Sequence, residues 1–280
     1  MGLMTGFKAM RAYKLHSEGK LDEARALYEQ AVSEGLKEPR YLLSYSVLLI
    51  RNGEYQKARE LLVKSQKAPG ITPEQKTQLF MNYAACMYKL GEIDKGIAIL
   101  ERQHAKQPSG IVYQTLGYLY VEKLAGWADN PAPAVQESEA EEEAAGQESA
   151  QSPKEQQEAQ LSPEEQREQL LCRAKAFCEE ACEYDDEDAI CLDNLGQLYY
   201  RVLGDREKAK PYFEKAIAVR PGQIDTLWFL SRYDLEAGDQ DACIRKLEKL
   251  LEGKFSVLNY ATREMAEAEL QRLRQSSGTM

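Results

Sequence analysis

The chain has 280 residues, of which 43% are hydrophobic, and a formal net charge of −10 at pH 7. Residues 129–165 contain eleven acidic residues and one base, Lys154, so this stretch alone accounts for the net charge of the whole chain. The remainder is neutral and has no basic stripe to neutralise phosphates, so we expect no nucleic-acid partner. Neither an apolar run of about 18 residues nor a targeting signal occurs, so we expect a cytoplasmic protein without a membrane partner.

A pattern of small, glycine and apolar residues recurs with a period of 34 residues. Ala24 and Ala58 are 34 residues apart, and so are Ala209 and Cys243. Each copy has a helical pattern around a small residue, a glycine, and a second helical pattern. The glycines stand where a helix C-cap needs left-handed backbone, and they are Gly19, Gly53, Gly91, Gly204 and Gly238. The pattern predicts helix-turn-helix units that are stable only as a stack, because each pair leaves an apolar flank for the next to cover.

The fourth repeat is interrupted. A first-helix pattern precedes residue 126 and a second-helix pattern follows residue 162, and neither has its other half beside it. The two patterns consist of Tyr113, Leu116, Gly117 and Tyr120, and of Ala174, Cys178 and Ala181. Ser162, Pro163 and Glu165 predict a capping box that begins the second pattern. We therefore predict a disordered acidic insertion at 127–161, which is either a tolerated surface loop or an arm that reaches a groove or a basic partner.

The fifth repeat is one residue longer than the others. Gly204 follows Gly196 by eight residues, whereas Gly19 follows Ala12 by seven. The additional residue predicts a wider turn or a bulge at the end of this helix.

A closing helix is predicted at 256–275, after the sixth repeat. Leu258, Ala261, Met265 and Ala268 fall on one face of this helix, and charged residues occupy the remainder. A stack of repeats needs such a helix to cover its last apolar flank. A helix that binds a partner is the alternative.

The repeat landmarks resemble tetratricopeptide repeats, which are helix-turn-helix units of about 34 residues. Residues 5–126 match repeats one to three and the first helix of repeat four, and residues 162–255 match the second helix of repeat four and repeats five and six. The resemblance implies an all-α fold, an α-solenoid wound as a right-handed superhelix. It also implies a non-catalytic scaffold that binds a peptide or protein segment in its concave groove. A peptide-sensing regulator, whose superhelix changes curvature on binding, is the alternative function.

The first helix of each pair lines the concave side of such a stack. Aromatic or planar side chains with a polar group, and amides that can hold an extended backbone, are the candidates for contact with a partner. They are Tyr13, Asn82, Tyr88, Tyr118, Asn194, Gln197, Tyr200, Trp228 and Arg232. Asn82, Asn194 and Arg232 are the strongest, because packing gives least reason for a polar group on an otherwise apolar face. The alternative for each tyrosine is a packing role.

The six cysteines have no CxxC pair, which is the usual unit of a zinc knot. We expect buried thiols that behave as small hydrophobic side chains, and we expect no metal or other cofactor. A metal or redox role for the four cysteines between 172 and 191 is the alternative.

The sequence offers little that would support catalysis. His16 and His104 lie in different repeats, and no GxSxG, HExxH or phosphate-binding loop motif occurs. We therefore expect no enzyme activity.

Overall fold

The structure is a computed structural model that describes residues 3–127 and 161–277. Those residues form thirteen helices and no strand, so the predicted all-α fold of stacked helical repeats, an α-solenoid, is confirmed. The helices are α1 (Leu3–Ser17), α2 (Leu21–Ser33), α3 (Pro39–Arg51), α4 (Tyr55–Ser65), α5 (Pro73–Lys89), α6 (Ile93–Lys106), α7 (Gly110–Ala125), α8 (Pro163–Tyr184), α9 (Ala189–Gln197), α10 (Arg206–Val219), α11 (Ile224–Glu236), α12 (Gln240–Leu251) and α13 (Arg263–Ser277). None of the described helices combines the length and apolarity that crossing a membrane requires.

The described residues fall into two compact units that divide between Gln107 and Pro108. Unit one contains the hairpins α1/α2, α3/α4 and α5/α6, and unit two contains the pairs α7/α8, α9/α10 and α11/α12, followed by α13. The predicted acidic insertion at 127–161 lies outside the described residues, apart from Trp127 and Leu161 at its ends. The wider assignment of domain boundaries stays a prediction.

Glycines end the first helix of most pairs. Gly53, for example, has a φ of 75°, a left-handed conformation that costs glycine little. The N–H of Gly53 donates to the carbonyl of Ile50 at 3.0 Å, and the N–H of Glu54 donates to that of Leu49 at 2.9 Å. Both bonds satisfy carbonyls that the end of α3 would otherwise leave unpaired. The left-handed glycines predicted between the helical patterns are thus confirmed.

A π-helical turn, Leu198–Val202, continues α9 and accommodates the additional residue of the fifth repeat. The N–H of Leu203 donates to the carbonyl of Leu198, five residues earlier, at 3.1 Å. The chain then turns at Gly204, whose φ is 67°. The bulge predicted from the longer spacing is therefore confirmed, and it takes the form of a single π-helical turn.

The helices on either side of the undescribed segment pack against each other within unit two. The ring of Phe177 on α8 lies 5.2 Å from that of Tyr113 and 5.4 Å from that of Tyr120, both on α7. The capping box predicted at Ser162 is confirmed, since the Ser162 hydroxyl accepts from the N–H of Glu165, and the Glu165 carboxylate accepts from the N–H of Ser162.

The last helix begins at Arg263, later than the sequence predicts. Asp225 on α11 accepts hydrogen bonds from the Ala261 N–H at 2.9 Å and from the Asn259 side chain at 3.1 Å, which holds the preceding residues in turns. The face of α13 that packs on the core consists of Ala266, Leu270 and Leu273, joined by the preceding Ala261. The predicted face was wrong at Ala268, which is exposed, because the helix starts in a different register.

Candidate functional site

A cluster of aromatic and cationic side chains in unit one lies on α1 and α3. The Arg40 guanidinium lies 4.3 Å from the centre of the Tyr13 ring, and the rings of Tyr13 and Tyr41 meet edge to face at 5.9 Å. Arg40 is exposed and both tyrosines are half-buried, while Met10 is exposed one turn before Tyr13. We refer to Met10, Tyr13, Arg40 and Tyr41 as the Tyr13–Arg40 surface. It offers a stacked cation, a flat aromatic area and an apolar side chain to a partner.

His16 lies near this surface, and the structure gives it a partner within the chain. Its Nδ1 and the Oγ of Ser44 are 3.0 Å apart, and the Tyr28 hydroxyl donates to the same Oγ at 2.9 Å. Burial, followed by the positive charge of Arg51, lowers the pKa of His16. Burial raises the pKa of Tyr28 to about 12. His16 is therefore neutral at pH 7 and bonded to Ser44, which links α1 to α3.

Asn82 is buried, and it bonds to a side chain of the neighbouring repeat. Its Nδ2 donates to the Oγ of Ser46 at 3.2 Å, and its Oδ1 accepts from Gln78 at 2.9 Å. Asn82 was predicted as a site residue because no packing role was expected for it, and these two hydrogen bonds give it such a role. Tyr88, on the same helix α5, is half-buried, with the Lys89 ammonium 4.6 Å from its ring centre.

Asn194 and Gln197 in unit two are also buried and hydrogen-bonded within the chain. The Nδ2 of Asn194 donates to the backbone carbonyl of Gln114 at 2.8 Å, and the Nε2 of Gln197 donates to Asp193 at 2.7 Å. Tyr118 is buried as well. The structure thus places three of the predicted site residues, Asn82, Asn194 and Gln197, in hydrogen bonds between or within helices.

Two buried carboxylates, Asp193 and Asp225, form the polar centre of unit two. Asp193 accepts from the Thr226 hydroxyl at 2.6 Å as well as from Gln197. Burial, and after it the negative charge of Asp225, raises the pKa of Asp193 to about 7. Burial also raises the pKa of Asp225. Hydrogen bonds to Asp193 thus join α9 to α11, and hydrogen bonds to Asp225 join α11 to the residues before α13.

Arg201, in the π-helical turn, completes this network and was missed at the sequence level. It donates to Glu122 on α7 at 2.5 Å and to Gln197 at 2.9 Å, and its guanidinium lies 3.9 Å from the Tyr260 ring centre. Its side chain and that of Glu122 are almost entirely buried. A base within the aromatic run "LYYRVL" was the signal that could have identified it.

Arg40, Tyr41 and Asp225 were also missed at the sequence level. Arg40 and Tyr41 follow Pro39 at the start of α3, where α1 leaves them accessible.

Tyr200, Trp228 and Arg232 pack toward the C-terminal end of unit two. The Tyr200 ring lies 5.0 Å from that of Phe229, and Arg206 lies 4.6 Å above the Tyr200 ring. Arg232 covers Trp228 at 4.4 Å and donates to Glu269 on α13 at 2.6 Å.

Glu269, the partner of Arg232 on α13, is held in its charged form. Hydrogen bonds from Arg272 and Arg232 lower the pKa of Glu269 to about 2. Arg232 therefore fastens the last helix to α11 by an ion pair, a structural role that the sequence does not reveal.

Within residues 3–127 and 161–277, no three His, Cys, Asp or Glu side chains are placed so that they could hold a metal ion. Cys86, Cys178, Cys191 and Cys243 are buried, as predicted for small hydrophobic side chains. The prediction was wrong for Cys172, which is exposed, and Cys182 is only partly buried. The buried face of α8 contains Ala174, Phe177, Cys178 and Ala181, and the helical period places Cys172 on the opposite side and Cys182 at the edge of that face.

Two family models match the sequence, both described as tetratricopeptide repeats, at residues 7–67 and 190–223. The chain is a tetratricopeptide-repeat protein. The matched repeats are scaffolds for protein interaction, which is the general role that the matches support. No curated protein matches the sequence.

Solved structures show the same fold for this tetratricopeptide-repeat protein. A human IFIT1 dimer with m7Gppp-AAAA is similar, with a TM-score of 0.60, 16% identity and 96% of this chain covered. The match covers 54% of the IFIT1 chain, so this protein spans about half the length of that relative. The MamA protein is similar with a TM-score of 0.51 and 16% identity, over 80% of this chain and 95% of MamA.

Proposed function

We propose that this protein is a non-catalytic interaction scaffold that binds a peptide or protein segment on the first helices of its repeats. The Tyr13–Arg40 surface of unit one is the contact site in this proposal. The observation that carries it is the stacked pair of Arg40, which is exposed, and Tyr13, which is half-buried, whereas four of the other eight predicted site residues are buried. Tyrosine and arginine are the residues that most often dominate binding energy at protein interfaces.

The chemistry of the surface indicates the kind of segment it would accept. Arg40 has donors available for a carboxylate, and stacking on Tyr13 fixes the plane of its guanidinium. The exposed Met10 and the edge of Tyr41 provide an adjacent apolar area. We therefore propose that the bound segment presents an acidic group beside an apolar side chain.

Three further expectations stay predictions. The cytoplasmic location and the absence of enzyme activity rest on the sequence. The expectation that no nucleic acid binds stays open to test, because the similar IFIT1 structure holds m7Gppp-AAAA. A regulator that senses a peptide through a change in curvature is the alternative that the family resemblance implies.

The test compares partners captured from a cell extract by the wild type and by Tyr13→Ala with Arg40→Ala. The matched control removes the same two side-chain types from unit two, with Tyr184→Ala and Arg245→Ala, both exposed. Circular dichroism first establishes that all three proteins fold alike. A protein captured by the wild type and the control, and lost by the Tyr13 variant, supports the proposal. Equal capture by all three would refute it. Binding of m7Gppp-AAAA, measured in parallel, would overturn the expectation of no nucleic acid.

A further inference from the structure

The outer face of α1 exposes an unusual number of large apolar side chains. Met4 is 70% exposed, Phe7 60% and Met10 51%. Seven large hydrophobic side chains of the described residues are exposed, so these three place nearly half of them within two turns of one helix. Single exposed apolar side chains need no explanation, but a contiguous group on one helix face marks an interaction surface.

Two cations of α1 lie in line with the exposed Met4 and Phe7. Met4, Phe7, Arg11 and Lys14 follow one another at spacings of three, four and three residues, which places them in one row along the helix. The opposite face holds the buried Thr5, Ala9, Ala12 and Leu15, which pack into unit one. We call Met4, Phe7, Arg11 and Lys14 the α1 row, and Met10 lies beside it. Its first half is apolar and its second half is basic.

The two cations of the α1 row form few ion pairs with carboxylates of the described residues. In the described part of the chain no carboxylate pairs with Arg11, and Lys14 has only Glu18, at 3.9 Å, with 77% of the lysine side chain exposed. Helix α1 itself contains no Asp or Glu. Lys8, by contrast, lies off the row and pairs with Glu34, the residue that follows α2.

The last described helix differs from α1 in its outer face. Helix α13 covers the last repeat and exposes mainly charged and amide side chains, among them Glu264, Glu267, Gln271 and Arg274. The first half of the α1 row, by contrast, is apolar and exposed.

We propose that the α1 row binds an amphipathic helix of a partner protein, with apolar side chains against Met4 and Phe7 and acidic side chains against Arg11 and Lys14. Side chains at spacings of three and four residues form the ridge that a second helix packs against. Charge complementarity selects the occupant, because two cations, Arg11 with no ion pair to a described residue and Lys14 with one long and exposed pair, stand in line with apolar side chains and call for carboxylates in the same order.

Charge also argues against two other occupants. A second copy of this chain that docked through its own α1 would bring the same basic row and no carboxylate for Arg11 or Lys14, since α1 contains no Asp or Glu. In an anionic membrane, cations belong at the edges of the apolar face, whereas Arg11 and Lys14 continue the row itself.

A labelled helical peptide of about 20 residues provides the probe, long enough to hold a helix in water. It carries leucines in the first half of one face and glutamates in the second half, and a charge-reversed copy replaces the glutamates with lysines. Binding to the full chain is measured by fluorescence anisotropy. The variants are Phe7→Ser, and Arg11→Glu with Lys14→Glu. The charge-matched control is Arg245→Glu with Lys254→Glu in unit two, two exposed cations.

The wild type and the control should bind the acidic peptide, and each of the two α1 variants should bind it about tenfold more weakly. The Arg11→Glu, Lys14→Glu variant should instead prefer the charge-reversed peptide, which a structural effect on folding would not produce. Unchanged binding by the α1 variants overturns the proposal. So does dimerisation that Phe7→Ser abolishes, seen by sedimentation, or adsorption to phosphatidylserine vesicles when the peptide does not bind. Tyr13 and Arg40 stay intact in every variant, so the outcome is separate from that for the Tyr13–Arg40 surface.

Discussion

The Nδ2 group of Asn194 donates a 2.8 Å hydrogen bond to the backbone carbonyl of Gln114, a residue 80 positions earlier in the chain. The bond joins α9 to α7, the first helices of two successive repeats in unit two. An added Cβ at Gly117, one turn after Gln114, would lie 3.0 Å from the same Nδ2, so the asparagine fills a space that the glycine leaves.

We expect Asn194→Ala to destabilise the fold by about 1–3 kcal/mol, because the bond to the Gln114 carbonyl that joins α9 to α7 is lost and the buried amide leaves a space. Asn194→Asp should cost more than Asn194→Ala, since it sets a carboxylate against that carbonyl. Urea unfolding of the three proteins gives the order. If the aspartate variant is as stable as the wild type, the bond does not hold the two repeats together.

Gly196 packs so closely against Phe213 that a methyl group does not fit. An added Cβ would lie 2.7 Å from the Phe213 Cε1, and the Phe213 ring is fully buried and stacked on Phe229 at 5.0 Å. Gly196→Ala should therefore lower stability by about 1–3 kcal/mol, in spite of the higher helix propensity of alanine.

The matched control for this change is Gly110→Ala in α7, where an added Cβ has no neighbour within 4 Å. Its melting temperature should equal or exceed that of the wild type. A Gly196→Ala protein with an unchanged melting temperature would show that Phe213 can move aside.

The stability of unit two should depend on pH through Asp193. The pKa of Asp193 is raised to about 7 from an ordinary 3.8, so the folded state binds this proton more tightly than the unfolded state. The stabilisation from this proton is complete below the unfolded value and is lost as pH rises through about 7. The slope cannot exceed about 1.4 kcal/mol per pH unit for one proton.

The free energy of unfolding, measured by urea between about pH 5 and 8, checks this. The wild type should lose more stability than Asp193→Asn as the pH rises. Glu269 affects stability in a different pH range. Because its pKa is lowered to about 2, the stabilisation from its ion pairs is present at neutral pH and is lost only in acid. Parallel pH profiles for the wild type and Asp193→Asn would contradict the expectation.

The cysteines should differ sharply in reactivity toward a maleimide at neutral pH. Cys172 is exposed and should react first. Burial raises the pKa of Cys86 and of Cys182 to about 12, and it raises the pKa of Cys178 and Cys191 as well, so these thiols should react slowly or only after unfolding. Mass spectrometry of the labelled protein gives the order, and Cys172→Ser should remove the fast phase. Rapid labelling of Cys178 in the folded protein would contradict the packing of α8 on α7.

The repeats could be predicted from the sequence because their determinants are local. The glycines after each first helix, the capping box at Ser162 and the additional residue before Gly204 each act within a few residues. The start of α13 was predicted too early because Asp225, more than thirty residues before it, fixes the turn around Ala261.

The candidate site was harder to predict, because a helical pattern reports which face a residue occupies but not what faces it. Asn82 and Asn194 look like free amides on an inner face, yet each bonds to a neighbouring repeat. Arg232 likewise pairs with Glu269 in a segment outside the repeats. Only Tyr13, Tyr88, Tyr200, Trp228 and Arg232 of the nine candidates keep part of their surface exposed, and whether any of them contacts a partner stays a prediction.

The π-helical turn at Leu198–Val202 bears on how the repeats should be aligned with one another. One more residue in a regular α-helix would rotate every later side chain by about 100° about the axis. The π-helical turn takes up the additional residue before the chain turns at Gly204, and the following repeats return to the 34-residue spacing, as Ala209 and Cys243 show. A repeat of this chain is therefore defined by which helices it joins rather than by how many residues it contains. Any alignment of the fifth repeat with the others needs a gap between Gly196 and Gly204, or Arg201 is compared with the wrong position.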